Sequence, residues 1–270
     1  MNIIVTGANG YIGRNVVHSL LNKGHKVTAM LFDGETPHRL LDGANIYFAN
    51  IFEISTEQLS VLAQNHDSLL HLAWQAGFNH RDPSHLENVM KHYHFLVSMA
   101  QAGIKTISVA GTMHEVGYFV GPIDADTPCN PRNPYGIAKN FLRQAMFDFA
   151  SVTPELNLQW IRFYYITGDD RFSNSIFTKI LKAEDEGQEF FPLNSGEMLY
   201  DFIDIRDLAQ QIEQTISSQE QGIFNCCSGK PKSLRAAVEE FIQQHNLKIK
   251  PKYNVFPART YDSMAVWGKK

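Results

Sequence analysis

Two hydrophobic periods alternate along the chain. Compact apolar runs at 3–5, 27–32, 46–49, 68–72, 106–110 and 156–163 have the length of buried strands. Between them, at 11–22, 56–65, 85–102 and 134–150, apolar residues return every three to four positions, the spacing of a helix with one buried face. Short buried strands separated by helices of this length predict a doubly wound α/β fold, a parallel sheet joined by right-handed crossovers. Beyond about residue 168 the rhythm loosens into a polar loop containing Asp169, Asp170 and Arg171, a helix near 175–186, and shorter elements to the end. The pattern therefore predicts a main domain over 1–168 and a smaller substrate-binding part over 169–270, partly interleaved with the first.

The first strand runs into Thr6-Gly7-Ala8-Asn9-Gly10-Tyr11-Ile12-Gly13 and then into the first helix. A glycine-rich turn between strand and helix presents backbone N–H groups at the positive end of the helix dipole, a cradle for a pyrophosphate. Glycine suits the tight turn, the approach of backbone to ligand, and the contact of helix with strand. The spacing Gly7-x-x-Gly10-x-x-Gly13 reads as the dinucleotide turn of a Rossmann fold, with Gly7, Asn9, Gly10, Tyr11, Ile12 and Gly13 as candidate cofactor contacts.

Composition narrows the function classes. With 270 residues, 44% of them hydrophobic, the chain can bury a sizeable core. A net charge of −4 without a long basic run argues against a nucleic-acid partner. Three cysteines, two of them adjacent (Cys226 and Cys227), form neither a disulfide framework nor a metal-ligand spacing, so no metal is expected. No apolar stretch reaches about 18 residues, so no membrane span is expected. An apolar strand beginning at residue 2 or 3 leaves no room for a signal peptide, and a reducing, cytoplasmic setting is expected.

The candidate chemistry lies further on. Tyr135-Gly136-Ile137-Ala138-Lys139 sets a phenol and an ammonium four residues apart on a helix begun at Pro134, so both face one side. A cation beside a phenol favours phenolate, which would bring the tyrosine toward neutral pH as an acid/base. Thr112 follows the fifth strand at its carboxyl end, where ligand-contacting residues of parallel sheets gather. Its hydroxyl could bond the same substrate oxygen. Thr112, Tyr135 and Lys139 are the candidate catalytic set.

With these residues in place the chain resembles the extended short-chain dehydrogenase/reductases, in particular the nucleotide-sugar branch of NAD-dependent epimerases and dehydratases. The resemblance spans essentially the whole chain. Besides the glycine turn and Tyr-x-x-x-Lys it rests on His71-Leu72-Ala73, Asn88-Val89, the loop 111–117, Asp201-Phe202-Ile203-Asp204-Ile205-Arg206-Asp207 and Gly222-Ile223-Phe224-Asn225-x-x-x-Gly229. It implies a nicotinamide cofactor at the carboxyl edge of the sheet, contacted also by Asp33, Asn50, Ile51, Leu72, Ala73, Tyr135 and Lys139. Tyr135 would be the acid/base, Lys139 would lower its pKa and hold the nicotinamide ribose, and Thr112 would polarise the substrate oxygen. The family's dehydratases carry acidic residues after the threonine, whereas Met113 and His114 stand there, with Glu115 one residue too late. Elimination of water is therefore disfavoured. Reduction of a 4-keto-6-deoxy nucleotide sugar is the preferred expectation. A 4-epimerase and a non-catalytic dinucleotide sensor are the alternatives.

On the substrate side the resemblance implicates Thr112, Met113, His114, Asn174 and Arg259. Tyr200 occupies the position of an arginine that in relatives precedes Asp-Phe-Ile. Leu31 stands where NAD enzymes carry an acid at the end of the second strand, which tilts the expectation toward NADP, with Arg14 and Arg39 as possible phosphate partners. Asp33 reaching the ribose would reverse that tilt. The family's habit of pairing two helices per subunit implies a homodimer through 85–102 and 134–150, which carry Phe95, Leu96, Met99, Phe141, Met146, Phe147 and Phe149.

Overall fold

A computed structural model describes residues 1–168, 173–257 and 262–270. The first half of the chain forms β1 (Asn2–Thr6), α1 (Tyr11–Asn22), β2 (Lys26–Leu31), β3 (Asn45–Phe48), α2 (Thr56–Gln64), β4 (Ser68–His71), α3 (Ser84–Gln101), β5 (Thr106–Thr112) and β6 (Gly121–Ile123). It continues with α4 (Pro134–Ser151), β7 (Asn157–Phe163), β8 (Tyr165–Thr167), α5 (Ile176–Asp185), β9 (Phe190–Pro192), β10 (Leu199–Asp204) and α6 (Ile205–Ser218). The last elements are β11 (Gly222–Cys226), β12 (Pro231–Ser233), α7 (Leu234–Gln244), β13 (Lys250–Lys252) and β14 (Ala265–Gly268).

Seven strands form one sheet in the order β11-β7-β5-β4-β1-β2-β3, every neighbouring pair parallel. Sequence order reverses between β1 and β4, so the loops leaving these two strands diverge and open a crevice at their carboxyl ends. The strands are apolar on both faces because helices cover both. Val16, Val17 and Leu20 of α1 meet Leu208, Ile212 and Ile216 of α6 on one side. Phe95, Leu96 and Met99 of α3 meet Leu142 and Met146 of α4 on the other. Four side chains expected at a subunit interface (Phe95, Leu96, Met99 and Met146) are thus core. Phe147 and Phe149 pack partly against that core, and Phe141 alone of the seven is exposed.

Local signals explain where the helices begin. Ser55 and Gln58 form a reciprocal capping box on α2. Asn133 caps α4 by accepting from the Gly136 N–H, with Pro134 at the first helical position. The two halves exchange elements: β11 and α6, from beyond residue 168, join the main sheet and its cover, while β6 joins a second sheet of order β12-β10-β14-β6. That sheet, with α5 and α7, builds a further core around Phe177, Leu181, Tyr200, Val238 and Phe241.

One buried carboxylate ties the second lobe together. Asp201, fully buried, accepts from Ser228 N and Oγ at 2.7 Å each, from Gly229 N at 2.8 Å and from Gly268 N at 3.2 Å. It joins β10, the turn after β11 and the end of β14. Asp201→Ala leaves these donors without their acceptor and is expected to lower stability by about 3 kcal/mol, read as an earlier denaturant midpoint.

Candidate active site

The crevice has the form the glycine turn predicts. Gly7 takes φ +65°, and a Cβ there would lie 2.7 Å from the Ala73 nitrogen, so the loops leaving β1 and β4 touch only because no side chain intervenes. A Cβ on Gly13 would lie 2.1 Å from the Gly7 carbonyl oxygen. Gly10 caps α1 without any side-chain acceptor, and the first turn of that helix carries no acid. Its N–H groups therefore remain oriented for an anion, and the turn fits a dinucleotide pyrophosphate.

The other expected cofactor residues surround this turn in different capacities. Asn9 holds the loop after β2, its amide donating to Thr36 O at 3.1 Å and accepting from His38 N at 2.9 Å. The Tyr11 hydroxyl reaches Thr167 O at 3.3 Å, which directs it toward the second lobe. Ile12 is half-buried beside the core, and Asn50 and Ile51 follow β3, with Asn50 Oδ1 accepting from Phe52 N. Leu72 N and Ala73 N donate to the Thr6 carbonyl and hydroxyl oxygens at 3.2 and 3.3 Å. Asp33 is exposed, while the nearby Glu35 carboxylate accepts from Phe32 N at 3.2 Å, just past the end of β2.

Thr112, Tyr135 and Lys139 converge at the carboxyl end of β5. The first turn of α4 approaches the loop after β5 so closely that a Cβ on Gly136 would lie 2.3 Å from the His114 carbonyl oxygen. That approach carries the flanking Tyr135 up beside the Thr112 side chain. Lys139 is 2% exposed; its ammonium donates to Ala110 O at 2.8 Å and lies 3.7 Å from the centre of the Trp74 ring.

The electrostatics run opposite to the expectation of an acidified phenol. Burial pushes Tyr135 up to about 12, with the Thr112 hydrogen bond pulling the other way and the Glu115 charge adding to the rise. Burial also brings Lys139 down to about 7, opposed by Glu115. A lysine near neutrality is charged only part of the time, and its Nζ is committed to a carbonyl and an indole face rather than to the phenol.

Several residues not foreseen complete the site. Trp74 stacks on His92 at 4.5 Å, meets Tyr135 edge-on at 6.2 Å, and donates from Nε1 to His85 Nδ1 at 3.0 Å. His80 lies parallel to the Tyr135 ring at 5.3 Å and 4.2 Å from His114. A buried chain runs from Thr6 Oγ1 to His71 Nδ1 and from His71 Nε2 to His92 Nδ1, each link 2.9 Å. Burial first, then neighbouring positive charge, holds His71 well below the usual imidazole range and brings His92 down to about 3. Six of the 11 histidines fall between residues 66 and 94, a clustering present in the sequence that the sequence reading passed over.

Met113 and His114 line a small cavity of about 10 Å³ with Tyr165, Tyr200, Ser263 and Val266. Tyr200 packs on Tyr165 at 4.5 Å and its hydroxyl reaches Met198 Sδ at 3.0 Å, so an aromatic pair stands at the position where relatives carry an arginine. Asn174 is exposed in the turn before α5. Arg259 lies outside the described residues. Among the described residues no cluster of histidine, cysteine and acid side chains could hold a metal ion.

Comparison with known proteins agrees with this geometry. The family model described as NAD dependent epimerase/dehydratase matches residues 3–227. Over 270 residues, the full length of both proteins, the chain is 80% identical to a dTDP-6-deoxy-L-talose 4-dehydrogenase (NAD(+)) of Aggregatibacter actinomycetemcomitans. It is 24% identical over 314 residues to UDP-arabinose 4-epimerase 1 of Arabidopsis thaliana, covering 98% of this chain and 72% of that one. Among solved structures, MoeE5 in complex with UDP-glucuronic acid and NAD aligns over 100% of this chain and 90% of its own, with a TM-score of 0.84 at 23% identity. A UDP-N-acetylglucosamine 4-epimerase from Methanobrevibacter ruminantium M1 aligns over 99% and 89%, with a TM-score of 0.85 at 20% identity. At such identities the two structures speak for the fold alone. A match over most of the chain, on a dinucleotide turn and a Thr/Tyr/Lys cluster already assembled, makes this chain a member of the NAD-dependent epimerase/dehydratase family of extended short-chain dehydrogenase/reductases.

Proposed function

We propose that the protein interconverts the 4-hydroxyl and 4-keto forms of a dTDP-linked 6-deoxy-sugar with NAD, with Tyr135 as the acid/base. The observation that carries this is the Tyr135 phenol set beside Thr112 on the helix turn that also bears the buried Lys139. Full-length 80% identity to a dehydrogenase named for that substrate supports the sugar. The epimerases among the relatives stand much further away, at 24% identity for the Arabidopsis protein.

In the bound state the dinucleotide supplies or accepts the hydride at the sugar's C4. The protein's part is to place and protonate. Tyr135 gives its proton to the carbonyl oxygen as reduction proceeds and takes it back in oxidation, while the Thr112 hydroxyl bonds the same oxygen. Gly7, Gly10 and Gly13 with the first turn of α1 would hold the pyrophosphate. Leu72 and Ala73 would line its crevice, and Lys139 would hold the nicotinamide ribose. A phenol held at about 12 stays protonated near neutral pH, the state from which it can give its proton to the carbonyl oxygen in reduction.

The reading takes NAD rather than NADP. Asp33 and Glu35 place two carboxylates in the loop leaving β2, with Glu35 bonded at the strand's end, and acids suit ribose hydroxyls but repel a 2′-phosphate. The relative at 80% identity is named for NAD(+), and the MoeE5 structure holds NAD. The tilt toward NADP read from Leu31 therefore finds no support.

A homodimer and a cytoplasmic setting complete the proposal. Leu86 and Met90 on α3, and Ile137 and Phe141 on α4, are exposed at i,i+4 spacing on two helices that pack together. An isologous interface would cover this face. Cys129, Cys226 and Cys227 are free thiols, as a reducing compartment requires, and among the described residues no helix is long and apolar enough to cross a membrane.

With dTDP-6-deoxy-talose and NAD, purified protein should generate reduced nicotinamide, and NADP should serve far less well. Isomerisation of the sugar without net change in the nicotinamide would overturn this in favour of an epimerase. Tyr135→Phe should lower kcat by about 10²–10⁴-fold with dinucleotide affinity retained, measured by steady-state rates and direct titration.

Lys139 also predicts a pH dependence of stability. Its ordinary value of 10.5 falls to about 7 on folding, so between these values the unfolded chain binds a proton that the folded chain does not. Stability of the cofactor-free protein should therefore rise with pH from about 7 to about 10 through this group, and Lys139→Met should remove that rise in denaturant titrations. For the dimer, Phe141→Glu should yield monomers by light scattering while the fold persists, since the residue is exposed in the single subunit.

A further inference from the structure

Thr112 can serve the substrate oxygen only if its hydroxyl is aimed at Tyr135, and the means of aiming it lies underneath. Glu115 is wholly buried below the end of β5. Its Oε1 accepts from Thr112 N at 2.7 Å and from Trp160 Nε1 at 2.9 Å. Its Oε2 faces Trp160 Nε1 at 3.0 Å, Arg162 Nε at 3.4 Å and Arg143 Nε at 3.7 Å. Every neighbour is a donor, which fits an ionised carboxylate acting only as acceptor. Arg162 is itself fully buried, with a second anchor from its Nη1 to Asp124 O at 2.7 Å.

This arrangement leaves no freedom at the strand end. A Cβ on Gly111 would lie 2.2 Å from Trp160 Nε1 and 2.8 Å from Glu115 Oε1, so the network fills the space against the residue preceding Thr112. Above it, Thr112 Oγ1 accepts from His114 N at 3.3 Å, closing a capping box with Glu115. With one lone pair of Oγ1 engaged and the backbone N–H held, the hydroxyl hydrogen is left free for the phenol beside it.

We propose that Glu115 is a positioning residue for catalysis, which clamps the Thr112 backbone and thereby orients the Thr112 hydroxyl toward Tyr135, with Trp160 and Arg162 fixing the clamp. The inference rests on the roles proposed above for Thr112 and Tyr135. The carboxylate touches no reacting atom; it acts through the residue it holds. Burial pushes the Glu115 carboxyl up, and the Arg162 guanidinium, the Thr112 N–H, the Trp160 indole and Arg143 pull the other way, so a charge here is costly to isolate and needs those donors around it.

The test separates aiming from mere folding. Glu115→Gln and Trp160→Phe are compared with the wild type, and each is also built into Thr112→Ala. Glu115→Gln is expected to lower kcat on the order of 10²-fold, as misplacement by about 1 Å can do, with KM for NAD within about twofold. Loss of the negative charge should also ease Tyr135 ionisation and shift the pH–rate profile to lower pH. In the Thr112→Ala background the same change should cost less than about twofold, because the residue it aims is gone. Trp160→Phe should show the same pattern more weakly and carries the test if Glu115→Gln is not recovered folded. Losses that multiply fully in the Thr112→Ala background, or wild-type kcat and pH profile in whichever variant folds, overturn the inference. Full turnover by Thr112→Ala alone would instead remove the catalytic role of Thr112, and the need for a clamp with it.

Discussion

A lysine ammonium taken out of water sets the terms for the whole site. Lys139 is buried, and desolvation of a charge is repaid only by close, well-aimed partners. The Ala110 carbonyl and the Trp74 ring are those partners, at 2.8 and 3.7 Å. They come within reach because Gly136 lets α4 press against the His114 carbonyl. Move the helix outward by the width of a methyl group and the ammonium loses its carbonyl and Tyr135 leaves Thr112.

The histidines around this cation follow from the same constraint. A positive charge in a low-dielectric region disfavours further protons nearby, so His71 and His92 are held neutral by burial and by the lysine. Neutral imidazoles carry one donor and one acceptor nitrogen, which lets His71 relay a hydrogen bond from Thr6 on β1 to His92 on α3, on which Trp74 stacks. Trp74 is gripped on both sides, stacked on His92 and bonded to His85. The result is a rigid wall at the crevice, built from side chains rather than from an extra strand.

Beneath the opposite side lies a buried carboxyl of equal consequence, pushed up by burial and pulled back by the donors around it. Glu115 raises the pKa of both Tyr135 and Lys139, keeping the phenol protonated and the lysine closer to charged. A donor-rich shell of Trp160, Arg162 and Arg143 keeps that carboxylate in place. The site thus places a buried acid, a buried base and a neutral phenol in one layer, each fixing the state of the others. The second lobe applies the same logic at Asp201 of β10, where one buried carboxylate gathers backbone donors from the turn after β11 and from β14.

Strand and helix order, the glycine turn, the helix bearing Tyr135 and Lys139 and the threonine ending β5 were all legible in the amino-acid order. Each depends on residues a few positions apart: periodicity, caps and i,i+4 spacing are local properties. The α1 boundaries at Tyr11 and Asn22 agree with the reading to the residue. What the order could not supply was the direction of the Tyr135 shift, the inward aim of Glu115, the grip of Trp74 on Lys139, or which faces of α3 and α4 are core. These depend on desolvation and on pairs far apart in sequence, such as Glu115 with Arg162 and Thr6 with His71. Local sequence specified which chemical groups are available and on which elements. Tertiary packing alone decided how much water each of them keeps, and therefore which charge it can carry.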